Sequence, residues 1–262
     1  MSSTGRLVNG IADHYNFSIK EVYKEAWGKV SGFKAILWGG FIIYVLIAIA
    51  LLAIVKLIGF ASLSLFSENS NQAIVAVANG IATLAKYPLY AGLLMLGIKR
   101  AVDQPIRASM VIDYYRKMWH IIGAGVVAVV VICVFAIVSA ILLALARGDI
   151  GAFMSCLYTL LGGVLGVVGI YLVLCYKFVL ALAAEKEMGI WHTLEVSRKA
   201  VTQHWFKIFF TVLGWLIIVL ISCIPAFIGL IWTLPWSYCV YGVLYRTIFG
   251  LETVSTQTHV MH

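Results

Sequence analysis

The sequence predicts an all-α polytopic membrane protein. Six transmembrane helices in three hairpins are expected, each hairpin preceded by an amphipathic interfacial helix. Three observations carry this reading. The 262 residues are 63% apolar and 11% charged, with a mean hydropathy of +1.00, whereas soluble domains run at about 45–50% and 25%. The apolar residues gather into blocks long enough to cross a bilayer, which takes about 20 residues. Three amphipathic segments recur, ending in the pairs Phe33-Lys34, Trp119-His120 and Phe206-Lys207, which are 86 and 87 residues apart.

Residues 1–16 read as a cytoplasmic tail and 17–249 as a single transmembrane domain. The first interfacial helix is expected over 18–33. Ile19, Val22, Tyr23, Ala26, Trp27 and Val30 fall on one face, and Lys20, Glu21, Lys24, Glu25 and Lys29 on the other. Ser18 with Glu21 has the capping-box pattern, and Phe17 with Val22 the pattern of a hydrophobic staple. Such a helix lies in the headgroup plane. The first crossing follows over about 35–60, and the second over about 73–98, interrupted by Lys86 and Pro88.

A second interfacial helix is expected over 105–119, opened by Pro105 and presenting Val111, Tyr114, Met118 and Ile121. The third crossing is expected over 121–146. The fourth, over 160–184, carries Lys177 and a small-residue stripe of Gly162, Gly163, Gly166 and Gly169, which suits close helix packing. The third interfacial helix, over 190–206, presents Ile190, Leu194, Ser197, Val201 and Trp205. The block Ile208–Phe249 is too long for one crossing, so it divides at Pro225 and Gly229 into spans over 208–226 and 230–249. Residues 250–262 form a second cytoplasmic tail. Pro88 and Pro235 each precede a basic residue, Lys99 and Arg246, by eleven positions, so both repeats place a kink in a second helix.

The orientation follows from Lys and Arg in the short loops. Fifteen of the 19 basic residues fall on one side of a six-span threading, against Arg147 and Lys56 on the other. Both termini should be cytoplasmic. Trp232 and Trp236 then mark the outer interface, and Trp27, Trp119, Trp191 and Trp205 the inner one. No apolar core of signal-peptide length occurs in the first 30 residues. The net charge of +8 lies beside apolar spans, which points to anionic lipid headgroups rather than nucleic acid.

All eleven acids lie outside the spans or at their edges. A proton- or sodium-coupled transporter places carboxylates at mid-depth, so that class is disfavoured. Two lysines lie deep instead. Lys86 sits near the centre of its span, where a charge costs about 2.5–3.5 kcal/mol. It calls for a phosphate, a carboxylate, a water-filled cavity, or carbonyls freed by Pro88; a neutral lysine or a shifted span would also serve. Lys177 is within snorkelling reach of the cytoplasmic headgroups. The candidate ligand-binding set is Lys86, Tyr87, Pro88 and Lys177. The candidate cytoplasmic interface is Trp27, Trp119, Arg198, His204 and Trp205.

The cysteines Cys133, Cys156, Cys175, Cys223 and Cys239 read as packing residues. His192 and His204 fit no zinc spacing, and His259, Met261 and His262 make only a weak soft-metal set. No metal, cofactor or catalytic motif is expected, and the chain reads as a non-enzyme.

The stretch Leu180–Phe209 resembles bacterial six-span membrane proteins grouped with the membrane domain of glycerophosphoryl diester phosphodiesterases. Thr193, Leu194, Ser197, Ala200, Val201, His204, Trp205 and Phe206 carry the likeness, with Pro88, Leu89 and Gly92 similar to a broken second span and Pro235 to its counterpart in the sixth. The resemblance implies a multi-pass protein of the bacterial inner membrane and assigns no activity. The function expected is binding or moving an anionic amphiphile such as a phospholipid. The alternative is a membrane scaffold or accessory subunit, with a protein partner or a second copy of itself.

Overall fold

The structure is a computed structural model that describes residues 15–148, 151–186, 188–224 and 227–251, together with the backbone of 7–8 and 11–12. Pro225, Arg6, His259, Met261 and His262 lie outside the described residues. Leu7–Val8 (β1) and Ile11–Ala12 (β2) pair antiparallel. All other regular structure among the described residues is helical: α1 Ile19–Lys29, α2 Lys34–Leu63, α3 Glu68–Ala85, α4 Tyr87–Ala101, α5 Met110–Asp113, α6 Met118–Leu145, α7 Ala152–Cys175, α8 Val179–Glu185, α9 Ile190–Gln203, α10 Trp205–Cys223 and α11 Leu230–Phe249. Single 3-10 turns join α5 to α6 (Tyr114–Lys117) and α7 to α8 (Tyr176–Phe178).

Five stretches are long and apolar enough to cross a membrane: Lys34–Leu63, Glu68–Ala101, Met110–Leu145, Ala152–Glu185 and Trp205–Cys223. The chain therefore has the helices of an integral membrane protein. The sixth expected crossing, α11, is not among them. Its Thr233, Trp236, Ser237, Tyr238, Tyr241, Tyr245 and Arg246 lower its hydropathy. The cause is its position. From Pro235 to Phe249 it is almost wholly buried in protein, as α4 is from Pro88 to Ile98, so neither helix needs a lipid-compatible surface there.

These two helices form the centre and meet backbone to backbone. A Cβ on Gly97 would lie 2.3 Å from the Tyr238 carbonyl oxygen, and one on Gly242 would lie 2.2 Å from that of Gly97. Around them, α2 packs on α3, α6 on α7, and α10 on α11. The apolar sides of α2, α6, α7 and α10 face outward.

The amphipathic helices pack differently from expectation. The apolar face of α1 is turned onto α11 and α4 rather than outward. Val22, Ala26, Val30 and Phe33 are buried, and Trp27 stands outside at 58% exposure. Ser18 is the N-cap of α1 but makes no side-chain cap bond, so the capping box does not form. Arg100 closes the other end, donating to the carbonyls of Lys29 (2.9 Å) and Ser31 (2.6 Å). Lys29 pairs with Asp103 and holds that carboxyl below the usual carboxylate range. Arg246 grips Glu25 with both terminal nitrogens at 2.8 and 2.9 Å and donates to the Ala101 carbonyl. Charges that read as orientation signals are thus also structural ties.

The second interfacial helix is shorter than 105–119. Asp103 takes a left-handed φ of 56° and ends α4's run, and helix resumes only at Met110. Val111 is seated against Gly92, where a Cβ would meet the Val111 carbonyl oxygen at 2.5 Å. The fourth span begins at Ala152, eight residues before the expected start, because no glycine or proline interrupts 152–159. In α9 Leu194, Ser197 and Val201 of the expected face are buried within the protein, and Ile190 and Trp205 are half-buried.

One pair of interface assignments is overturned. Lys34, expected at the inner end of the first span, lies with Nζ 5.0 Å from the Trp232 ring centroid, and Trp232 was expected at the outer interface. A lysine side chain cannot bridge a hydrocarbon core of about 30 Å. Lys34 and Trp232 therefore do not mark opposite interfaces.

Candidate functional site

Two long helical stretches are interrupted, between α3 and α4 and between α7 and α8, and α11 carries a proline inside it. Between α3 and α4, Pro88 offers no N–H, and the ladder tightens to a Lys86 N–H donating to Thr83 O at 3.2 Å. The Ala85 carbonyl at this break accepts the Tyr115 hydroxyl at 2.8 Å. Between α7 and α8, the Cys175 carbonyl accepts Ser197 Oγ at 2.5 Å, and the Lys177 carbonyl accepts the Tyr241 hydroxyl at 3.2 Å. In α11, Pro235 frees the Ile231 carbonyl, which accepts Trp38 Nε1 at 3.4 Å. Broken helices persist in apolar surroundings only where neighbours re-satisfy their carbonyls in this way.

Lys86 opens onto a cleft of about 390 Å³. Thr83, Tyr87 and Tyr90 come from the same broken helix, Tyr44 from α2, and Tyr176 from the 3-10 turn of the second repeat. Gly125, Ala128, Val129 and Ile132 of α6 form the apolar wall. Gly125 is required there, because a Cβ would sit 2.5 Å from the Tyr87 ring. The cleft thus offers one ammonium, four phenols and a hydroxyl, and no carboxylate among the described lining residues. Lys86 Nζ makes no hydrogen bond or ion pair among the described residues.

Lys177 lines a second cleft of about 300 Å³ with Trp215, Ser237, Tyr238 and Tyr241. Its ammonium lies 4.0 Å over the Trp215 ring, an interaction worth about 2 kcal/mol when desolvated. Trp215 is fixed in turn, its Nε1 donating to Ser237 Oγ at 2.6 Å. The aliphatic stem therefore turns to an indole within the protein. Tyr90, one helical turn beyond Lys86, lines both clefts.

Comparison with known proteins finds no match among family models, curated proteins or solved structures.

The structure brings Lys86 and Tyr87 into one cleft, buries Pro88 beside it, and gives Lys177 to the other. Of the interface residues, Trp119 is 80% exposed, as are Trp191 and Phe206 at 70% and 71%. Arg198 is half-buried. His204 meets the Tyr15 ring edge-on at 4.9 Å. Trp205 is half-buried and stacks on Phe209 at 5.2 Å, with its Nε1 buried and lacking an acceptor among the described residues. Sequence reasoning missed Tyr44, Tyr90, Tyr176 and Trp215. Only Tyr90 had a local signal, its spacing of four from Lys86. Among the described residues no cluster of His, Cys, Asp or Glu could hold a metal ion.

Proposed function

We propose that the protein is a non-enzymatic, multi-pass membrane protein that binds or moves an anionic amphiphile such as a phospholipid, with the headgroup at Lys86. The observation that carries this is the fate of the broken backbone. One carbonyl at the break, that of Ala85, is already taken by Tyr115, and the Lys86 ammonium, with no hydrogen bond among the described residues, faces a cleft with no carboxylate among its described lining residues. A cation in apolar surroundings without a counter-ion is costly. A phosphate diester supplies the missing charge, the phenols donate to its oxygens, and the α6 wall suits an acyl chain.

Six crossings, paired as three hairpins with both termini cytoplasmic, are part of this reading. The contact of Glu25 with Arg246 supports it. Residue 25 precedes the first crossing and residue 246 ends the last helix. Five crossings alone would leave them on opposite faces, so in this reading the chain returns after Cys223, through an α11 whose first turn already lies within reach of Lys34. The clustering of basic residues on that side supports a cytoplasmic face and, with the family resemblance, the bacterial inner membrane. Cysteine placed at position 20 or 198 of a cysteine-free protein should resist an impermeant reagent applied to intact cells, and cysteine at 69 should react. Labelling of 20 or 198 without 69 rejects this orientation.

A second reading, a scaffold or accessory subunit, has one observation in its favour. Gly162 and Gly166 face Leu143 and Ser139 of α6, but Gly163 is exposed and meets nothing. It leaves one position of the small-residue stripe open to a helix of a partner or a second copy. Native mass spectrometry of gently solubilised protein separates the two. Retained anionic phospholipid is the expected result; a stoichiometric protein partner without lipid supports the scaffold.

A further inference from the structure

The clefts of Lys86 and Lys177 share a wall. The 3-10 turn Tyr176–Phe178 gives Tyr176 to the first cleft and its neighbour Lys177 to the second, and Tyr90 lines both. Both lysines stand at a break in a long helical stretch, Lys86 just before α4 and Lys177 just before α8. Helices α4 and α8 pack on one another, and the shared Tyr90 sets the two breaks side by side. Packing between distant parts of the chain therefore puts one ammonium on each side of a single tyrosine.

Neither ammonium has a counter-ion. No carboxylate is among the described lining residues of either cleft, and neither lysine side chain makes a hydrogen bond or ion pair among the described residues. The Trp215 ring at 4.0 Å steadies Lys177, but an indole carries no net charge and does not neutralise it. Tyr241 is committed, donating to the Lys177 carbonyl. The hydroxyls of Tyr87, Tyr90, Tyr176 and Tyr238 make no hydrogen bond among the described residues. A phenol inside an apolar region ordinarily finds a partner. Two cations and a row of donors, with no anion facing them, call for two negative charges that bring many acceptor oxygens. Phosphate groups supply both, one for each ammonium.

We infer that the two clefts form one bipartite site for a lipid carrying two phosphate groups, with Tyr90 between them. This rests on the reading of Lys86 as a headgroup site and extends it to Lys177. Leu94, Val212, Leu216, Val219 and Leu234 of the second cleft suit an acyl or prenyl chain. One ligand is favoured over two one-phosphate lipids because a wall of one side chain brings two like-charged headgroups close together. Joining the phosphates covalently makes the second contact intramolecular.

The test uses the whole protein in phosphatidylcholine nanodiscs, with bound probe counted per chain by native mass spectrometry over a titration. The probes are phosphatidylglycerol, with one phosphate; cardiolipin, with two joined through glycerol; and geranylgeranyl diphosphate, with two joined directly. Wild type should bind a two-phosphate probe about tenfold or more tightly than phosphatidylglycerol. Preference for cardiolipin identifies phosphates set apart, and preference for the diphosphate identifies a linked pair. Lys177→Met should abolish the preference and leave phosphatidylglycerol binding as in wild type, which also shows that the variant is folded. Tyr90→Phe keeps the ring and removes the shared hydroxyl. It should weaken the two-phosphate probe several-fold with unchanged thermal unfolding. Equal affinity of wild type for all three probes, or an undiminished preference in either variant, overturns the bipartite site. Failure of the Lys86 reading looks different, because Lys86→Met then keeps its phosphatidylglycerol.

Discussion

Gly242→Ala should lower the thermal stability of the solubilised protein sharply, while Gly163→Ala leaves it unchanged or raises it. The two substitutions add the same methyl group to a helix, and alanine gains about 1 kcal/mol over glycine in helix propensity. The surroundings decide the sign. A Cβ on Gly242 would meet the Gly97 carbonyl oxygen at 2.2 Å, its carbon at 2.5 Å and the Ile98 nitrogen at 2.9 Å. All three are backbone atoms, so no side chain can rotate away. Room comes only from parting α4 and α11, and those helices hold the largest share of the buried interior. Overpacking of a core costs about 1–3 kcal/mol and more when backbone must move. Gly97→Ala should behave alike, against Tyr238 O at 2.3 Å. At Gly163 nothing lies within 4 Å, and only propensity acts. Equal melting temperatures for Gly242→Ala and wild type would show that α4 and α11 do not cross at these glycines.

Lys86→Met and Tyr115→Phe should have crossed effects. Methionine keeps an unbranched stem and removes a charge that costs about 2.5–3.5 kcal/mol at mid-membrane. The Lys86 ammonium makes no hydrogen bond among the described residues that the change would break, so the Met variant should be as stable as wild type or more so. It should retain far less anionic lipid. Lys86→Glu should repel a phosphate and lose the lipid as well. Tyr115→Phe does the reverse. It strips the Ala85 carbonyl of its donor at 2.8 Å, and an unsatisfied buried polar group costs about 1–3 kcal/mol. Its stability should fall and its lipid content should stay. If Lys86 were instead a structural residue, the Met variant would be the unstable one.

Helices α2 and α6 were legible because a helix facing lipid must be apolar all round, and length and composition then suffice. Helix α11 was legible only as half of an overlong block. Its tyrosines, Arg246 and Gly242 make sense against α4 and α1, and no local pattern reveals that neighbour. Pro105 is a good first residue for a helix, but Asp103 turns the chain and Val111 is drawn onto Gly92, so the helix there is a single turn. Trp232 read as an outer anchor because tryptophans favour both interfaces; its approach to Lys34 depends on how the last helix pair tilts, which sequence does not record. At the site, Lys86 beside Pro88 stood out as a lone charge in an apolar run. Tyr44 and Tyr176 did not, because Tyr44 comes from α2 and Tyr176 from the turn between α7 and α8, and both meet Lys86 only after these elements pack around α4. Trp38, Tyr115 and Tyr241 carried no signal as carbonyl partners, since any indole or phenol could have served.

The claim at the centre of this account is that Lys86 holds an anionic headgroup. The most direct measurement is the number of anionic phospholipids retained per chain by Lys86→Met and by wild type, counted by native mass spectrometry after identical gentle solubilisation, with melting temperature recorded beside it. The account predicts a Met variant that is at least as stable as wild type and has lost the lipid of the Lys86 cleft. A Met variant that is less stable and keeps its full lipid complement would contradict it.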